Sequence, residues 1–111
     1  MKFEWDEVKN RENIKKHGVP FEEAQTIFFN DFIEKPDINH SENEERFIAI
    51  GISYYTRELM VRYCYRFKLD GEEVIRIISS RKATDNERRE YYGSNCKKLF
   101  IRSRCSFWTS S

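Results

Sequence analysis

The sequence predicts an α+β fold, a small antiparallel sheet with helices packed on one face. Two observations carry that reading. The centre of the chain holds alternating or β-branched runs, with an Asp70-Gly71 hairpin signal, so consecutive strands should pair antiparallel. Helix signals gather at the two ends instead of alternating with the strands, which separates α+β from α/β. At 111 residues the chain makes one domain with a modest core.

Residues 3–5 form a short first strand. Asp6 is a good N-cap, and the polar run 7–16 is a helix that Gly18 ends at its C′ position. His17 sits in the last turn, where a cation meets the helix dipole favourably. Pro20 blocks continuation and opens a second helix, residues 21–29, with Phe21, Ala24, Ile27 and Phe28 on one face. Asn30-Asp31 breaks it. Residues 32–35 are a short strand, and residues 36–43 are the most loop-like segment.

Residues 46–53 alternate weakly through Ile48, Ile50 and Ile52. Residues 59–67 alternate well, with Leu59, Val61, Tyr63, Tyr65 and Phe67 against Met60, Arg62, Cys64 and Arg66. After the hairpin, residues 73–79 form a strand rich in β-branched side chains. Thr84 with Glu87 three positions later is a capping box, so a last helix runs from about Thr84 to Tyr92 and stops at Gly93. Arg81 and Lys82 are thereby held between a strand and a helix, the most sharply placed cations in the chain.

Charged residues make up 35% of the chain, yet the net charge is only +1. That describes a salt-laced surface, not a disordered polyion. The acids concentrate before residue 46 and the arginines after it, a distribution compatible with a polyanion ligand and an acidic partner. Three cysteines, Cys64, Cys96 and Cys105, form no Cys-x-x-Cys pair, which argues against a disulfide framework and a structural zinc site. No cofactor is expected. The charged start reads as lacking a signal peptide, and no apolar run approaches a membrane span, so a cytoplasmic protein is expected.

Several segments resemble one family. Phe3-Glu4-Trp5-Asp6 with Lys9, Asn13, Lys16-His17-Gly18-Val19 and Phe21-Glu22-Glu23-Ala24 look like the opening of BrnT-type toxins. So do His40-Ser41-Glu42 with Glu44-Glu45-Arg46-Phe47-Ile48 and Gly51. The block from Ile75 to Thr84, then Glu87-Arg88 and Tyr91, is similar to the family's most distinctive motif. The resemblance spans residues 1–92, leaving 93–111 as a C-terminal extension. That extension, rich in Ser, Lys and Arg, is open to disorder, to partner binding or to being a segment the fold does not need. The resemblance implies a RelE-like ribonuclease toxin fold and the toxin role in a type II toxin–antitoxin module. It further implies metal-independent endoribonuclease activity that inhibits translation and growth. A BrnA-like ribbon-helix-helix antitoxin would neutralise it in a heterotetramer and carry the operator-DNA binding.

Metal-free RNA cleavage needs the 2′-hydroxyl deprotonated, the charge on a phosphorane-like transition state stabilised, and the 5′-oxygen helped to leave. Planar guanidinium groups suit the middle task because they contact two phosphate oxygens at once. Arg81 is the first candidate, its alternative role being an ion pair with Glu87. Arg46 is a second phosphate contact or a rim salt bridge. His17 has the intrinsic pKa of an acid or base, or is only a helix-end cation; Glu45 is a second candidate base. Arg66, Arg76, Lys82, Arg88 and Tyr91 are candidate RNA contacts, with Tyr91 equally suited to packing its helix. The competing readings are a non-catalytic basic module that binds nucleic acid or an acidic protein, and a purely structural interaction domain whose arginines serve only as salt bridges.

Overall fold

The computed structural model describes residues 2–40, 44–93 and 101–102. The element order is β1 (Lys2–Glu4), α1 (Glu7–His17), α2 (Phe21–Ala24) continuing as a 3-10 segment (Gln25–Phe29), β2 (Phe32–Pro36), β3 (Phe47–Ile52), β4 (Glu58–Phe67), β5 (Glu73–Lys82), α3 (Asp85–Tyr92) and β6 (Ile101–Arg102). A 3-10 turn, Ile38–His40, occupies part of the expected loop. Apart from Gly93 and β6, the extension lies outside the described residues, as do residues 41–43 of the loop.

The local signals act as chemistry requires. Asp6 accepts hydrogen bonds from the backbone N–H of Val8 and Lys9, and Gly18 closes α1 at φ 71°, a left-handed conformation that costs glycine least. Thr84 and Glu87 form the reciprocal capping box that starts α3.

The strands make one sheet in the order β1-β5-β4-β3-β2-β6. Its central meander is antiparallel, while β1 joins the edge parallel to β5, pairing Phe3 with Ile75. Parallel pairing lets α1 and α2 cross the sheet between β1 and the meander. Those helices cover one face, burying Val19, Phe21, Ala24, Ile27 and Phe28 against Ala49, Leu59, Val61, Tyr63, Ile75 and Ile77. Gly51 belongs to this face because a β-carbon there would stand 3.2 Å from the β-carbons of Ile27 and Phe32.

The other face carries its own small cluster, Ile50, Met60 and Ala83, with Ile48 and Tyr91 packed against it. Tyr91 belongs to α3, so the third helix lies opposite α1 and α2, not beside them. The expectation of helices on one face therefore holds for the N-terminal pair alone. The 84–92 segment follows β5 too closely to cross the sheet, and it folds back over the face on which its strand delivers it.

Candidate functional site

Strand register decides which cations meet. Met60 pairs with Arg81, Arg62 with Ser79, Cys64 with Arg76 and Arg66 with Val74. Side chains alternate along a strand, so Met60, Arg62, Cys64 and Arg66 share the α3 face, as do their partners opposite. Arg76 and Arg81 are five residues apart and would point to opposite faces of a regular strand. A register shift between Arg62 and Tyr63 leaves Ile78 without a partner on β4. That bulge resets the alternation and brings both arginines to the same face. Arg62, Arg66, Arg76 and Arg81 thus form a row along β4 and β5, joined at its flank by Arg46, just before β3.

Each cation is held by a carboxylate. The Arg81 guanidinium donates to both Glu87 oxygens, Nη1 to Oε1 at 2.8 Å and Nη2 to Oε2 at 2.9 Å. Arg62 Nε donates to the buried Asp37 at 3.0 Å, and Arg76 Nη1 to Glu4 at 2.9 Å. Glu44 reaches Arg66 at 3.5 Å and Arg46 at 4.0 Å. The side chains in the row are 28–49% exposed, so they remain reachable while being held. Burial raises the Glu87 carboxyl, but hydrogen bonds from Arg81 and Thr84 outweigh it and bring the group below its ordinary value. At neutral pH it is a carboxylate.

The placement of the other candidates is uneven. Arg46 immediately precedes β3, whose first pair is Phe47 with Tyr63; continuing that register sets it about 13 Å along β4 from the Met60–Arg81 pair and two strand spacings, about 10 Å, across from Arg81 itself. Arg81 and Arg46 are therefore too far apart to contact one phosphate together. His17 ends α1, whose Asn13 bonds Ser80 on the helix-covered face, so it lies across the sheet from the Arg81 side chain. Glu45 is exposed beside Arg46, but the carboxylate that meets the arginines is its neighbour Glu44. Lys82 pairs with Leu59 and so leaves the strand on the helix-covered side.

On α3, Arg88 pairs with Asp85 and lines a shallow cleft with Glu58, Arg89 and Tyr92. The Tyr91 ring packs on the Ile50–Met60 cluster, and its hydroxyl donates to the Asp31 carbonyl at 3.2 Å. Burial, then the nearby Asp31, raises that hydroxyl's pKa, which favours the packing role.

Sequence reasoning left Arg62 off the candidate set, although its even spacing from Arg66 was a usable signal. Asp37 and Glu44 carried no such signal, since both enter from loops. Among the described residues, no group of three or more His, Cys, Asp or Glu is arranged to hold a metal ion, and no helix is long and apolar enough to cross a membrane.

Fold and site together define a small α+β protein with one face filled by aromatics and the other presenting a row of tethered arginines, a surface whose chemistry suits a polyanion. A family profile described as the ribonuclease toxin BrnT of type II toxin–antitoxin systems matches residues 5–87, and the chain belongs to that family. As a type II toxin it implies an antitoxin partner and an RNA target. Its fold is similar to the crystal structure of the Brucella abortus ribonuclease toxin BrnT, at 26% identity and a TM-score of 0.52, over 77% of this chain and 99% of that one. No curated protein matches the sequence.

Proposed function

We propose that this chain is a metal-independent endoribonuclease that cuts RNA, inhibits translation and growth, and is neutralised in the cytoplasm by a BrnA-like antitoxin. The observation that supports this reading best is the arginine row. Its spacing along β4 suits successive phosphates of one RNA strand, with Arg81 as the charge-stabilising group at the scissile phosphate and Arg62, Arg76, Arg46 and Arg66 as contacts to neighbouring phosphates. A RelE-like relationship is part of the same reading.

In the proposed reaction the 2′-oxygen bonds to the adjacent phosphorus as its proton passes to a base. The phosphorus–5′-oxygen bond then breaks, and the leaving oxygen takes up a proton. The products are a 2′,3′-cyclic phosphate and a 5′-hydroxyl. Arginines oppose the charge that develops on the phosphoryl oxygens, where a preorganised donor contributes most. Of the two candidate bases, Glu45 stands beside Arg46, more than about 13 Å from Arg81 at ordinary strand rise, and His17 lies across the sheet, so neither is assigned as the base for a phosphate held at Arg81. The test is incubation of purified protein with a defined RNA, with and without EDTA. Cleavage that survives EDTA and leaves a cyclic phosphate is the expected result.

A second reading has its own support: every row arginine already has a carboxylate partner, as in a purely binding or structural surface. Arg81→Ala separates the two. A nuclease keeps much of its RNA affinity and stops cutting, whereas a binding module loses affinity in a salt-dependent way.

The antitoxin is proposed as a ribbon-helix-helix dimer in a heterotetramer, with operator DNA bound only through it. An acidic antitoxin segment would displace Glu44, Glu4 and their like from the same arginines, giving fast encounter and occlusion together. Co-expression with the neighbouring gene and a mass measurement of the complex tests this. Recovery of free monomer alone would refute it.

A further inference from the structure

Arg81 makes more bonds than an ion pair needs, and they divide its guanidinium edge by edge. Glu87 takes the end-on edge with both oxygens, one hydrogen from Nη1 and one from Nη2. The second Nη1 hydrogen goes to the Lys82 carbonyl at 3.1 Å. By the fixed fork geometry of guanidinium, the donors left over are Nε–H and the second Nη2–H, which lie side by side. Neither makes a hydrogen bond among the described residues. They form a second two-pronged donor that matches the two non-bridging oxygens of a phosphodiester.

Glu87 is itself immobilised. Its Oε1 also accepts the Thr84 N–H at 2.8 Å, its own N–H donates to Thr84 Oγ1, and its side chain is only 14% exposed. Ala83, between strand and helix, donates its N–H to the Glu58 carbonyl at 2.9 Å. The short link from β5 to α3 therefore has little freedom. A carboxylate beside a phosphate site repels substrate, so its presence calls for a compensating role.

We propose that Glu87 is a positioning residue that occupies the end-on edge of Arg81 so that the side-on Nε–H/Nη2–H fork receives the scissile RNA phosphodiester. This rests on the RNA-cleaving reading above, and the experiment keeps the two apart. Glutamine is also a good third-position capping residue, so Glu87→Gln preserves the start of α3. Its amide nitrogen cannot accept from Arg81, so the two-bond hold is lost. Single-turnover cleavage by Glu87→Gln should fall at least about 10-fold while RNA affinity holds or rises, because a negative charge has left the site. Glu87→Asp should not restore the rate, since it keeps the charge but not the reach. Unchanged cleavage in a folded Glu87→Gln protein overturns the assignment and leaves the nuclease reading standing.

The second arm needs no activity. In wild-type protein with 15N-labelled arginine, a 2′-O-methyl oligoribonucleotide, which lacks the attacking hydroxyl, should shift the Arg81 Nε–H resonance. If that resonance moves but no RNA is cut, the edge assignment stands and the nuclease reading fails. If it stays fixed while backbone signals along β4 move, the side-on fork is not the phosphate site. This arm also decides the matter should Glu87→Gln unfold.

Discussion

The two faces of the sheet are built from alternate residues of the same strands, yet they use carboxylates in opposite ways. On the helix-covered face, Glu23 is buried and accepts from Ser53 at 2.7 Å and from Arg57 Nε at 2.9 Å, tying the β3–β4 loop to α2. Glu34 is buried too and accepts from the hydroxyls of Tyr63 and Tyr65. Around them the Phe28 ring lies 4.9 Å from Phe32 and 5.0 Å from Tyr63. On the arginine face, Asp37, Glu44, Glu4 and Glu87 meet cations whose outer edges stay in reach of water. Where both partners are exposed, as in Arg66–Glu44, such a pair contributes about 0–1 kcal/mol, whereas a buried aromatic contributes several. On the proposed reading, stability and RNA recognition are thus separated by the pleat, and a substitution should damage one without the other.

The largest break is expected on the covered face. Phe28→Ala removes the ring on which Phe3, Phe32 and Tyr63 converge and should cost about 3–5 kcal/mol, read by urea denaturation. Loss of less than about 1 kcal/mol would mean that the aromatic cluster is not what holds the sheet to α2. The reciprocal experiment is Arg81→Ala, expected to lower cleavage by about 10²- to 10³-fold with only a small change in melting temperature. A large drop in stability with proportionate loss of cleavage would merge the two faces into one structural unit.

Acid titration sharpens the contrast further. Hydrogen bonding from Arg57, against the opposing effect of burial, lowers the Glu23 pKa from its ordinary 4.5. A depressed carboxyl stabilises the fold fully above its unfolded value, and that stabilisation is lost as pH falls through the lower folded one. Glu23→Gln should therefore be less stable than wild type at pH 7, and the gap should narrow below about pH 4.5, as followed by thermal melts from pH 7 to pH 3. A gap independent of pH would assign the loss to packing instead of charge. The smallest effect belongs to the far end of the row. Arg66→Ala should weaken binding of a non-cleavable single-stranded RNA across sequences and reduce the salt slope by about 0.7, measured by fluorescence anisotropy. An unchanged slope would remove Arg66 from the proposed phosphate contacts.

Much of this was legible in the chain itself, because its signals act over short distances. Asp6, Gly18 and the Thr84–Glu87 box satisfy backbone groups within a few residues, so the ends of α1 and the start of α3 follow from composition and spacing alone. The alternation along 59–67 likewise separates the tyrosines from the arginines before any partner strand is known. The family's three ordered motifs added the ribonuclease toxin reading.

Which cations meet was a different kind of question. Two-residue periodicity sends Arg76 and Arg81 to opposite faces, and only the bulge at Ile78 brings them together. The same arithmetic hid the distance between Arg46 and Arg81, which depends on the pairing of β3 with β4 and of β4 with β5. The side on which α3 lies, the parallel docking of β1 and the separation of His17 from Arg81 were set by the assembled sheet. Local caps and pleat are short-range consequences of each residue's own hydrogen bonds and shape. Register is a cooperative property of strands distant in sequence, and a shift of one residue changes the face of everything beyond it.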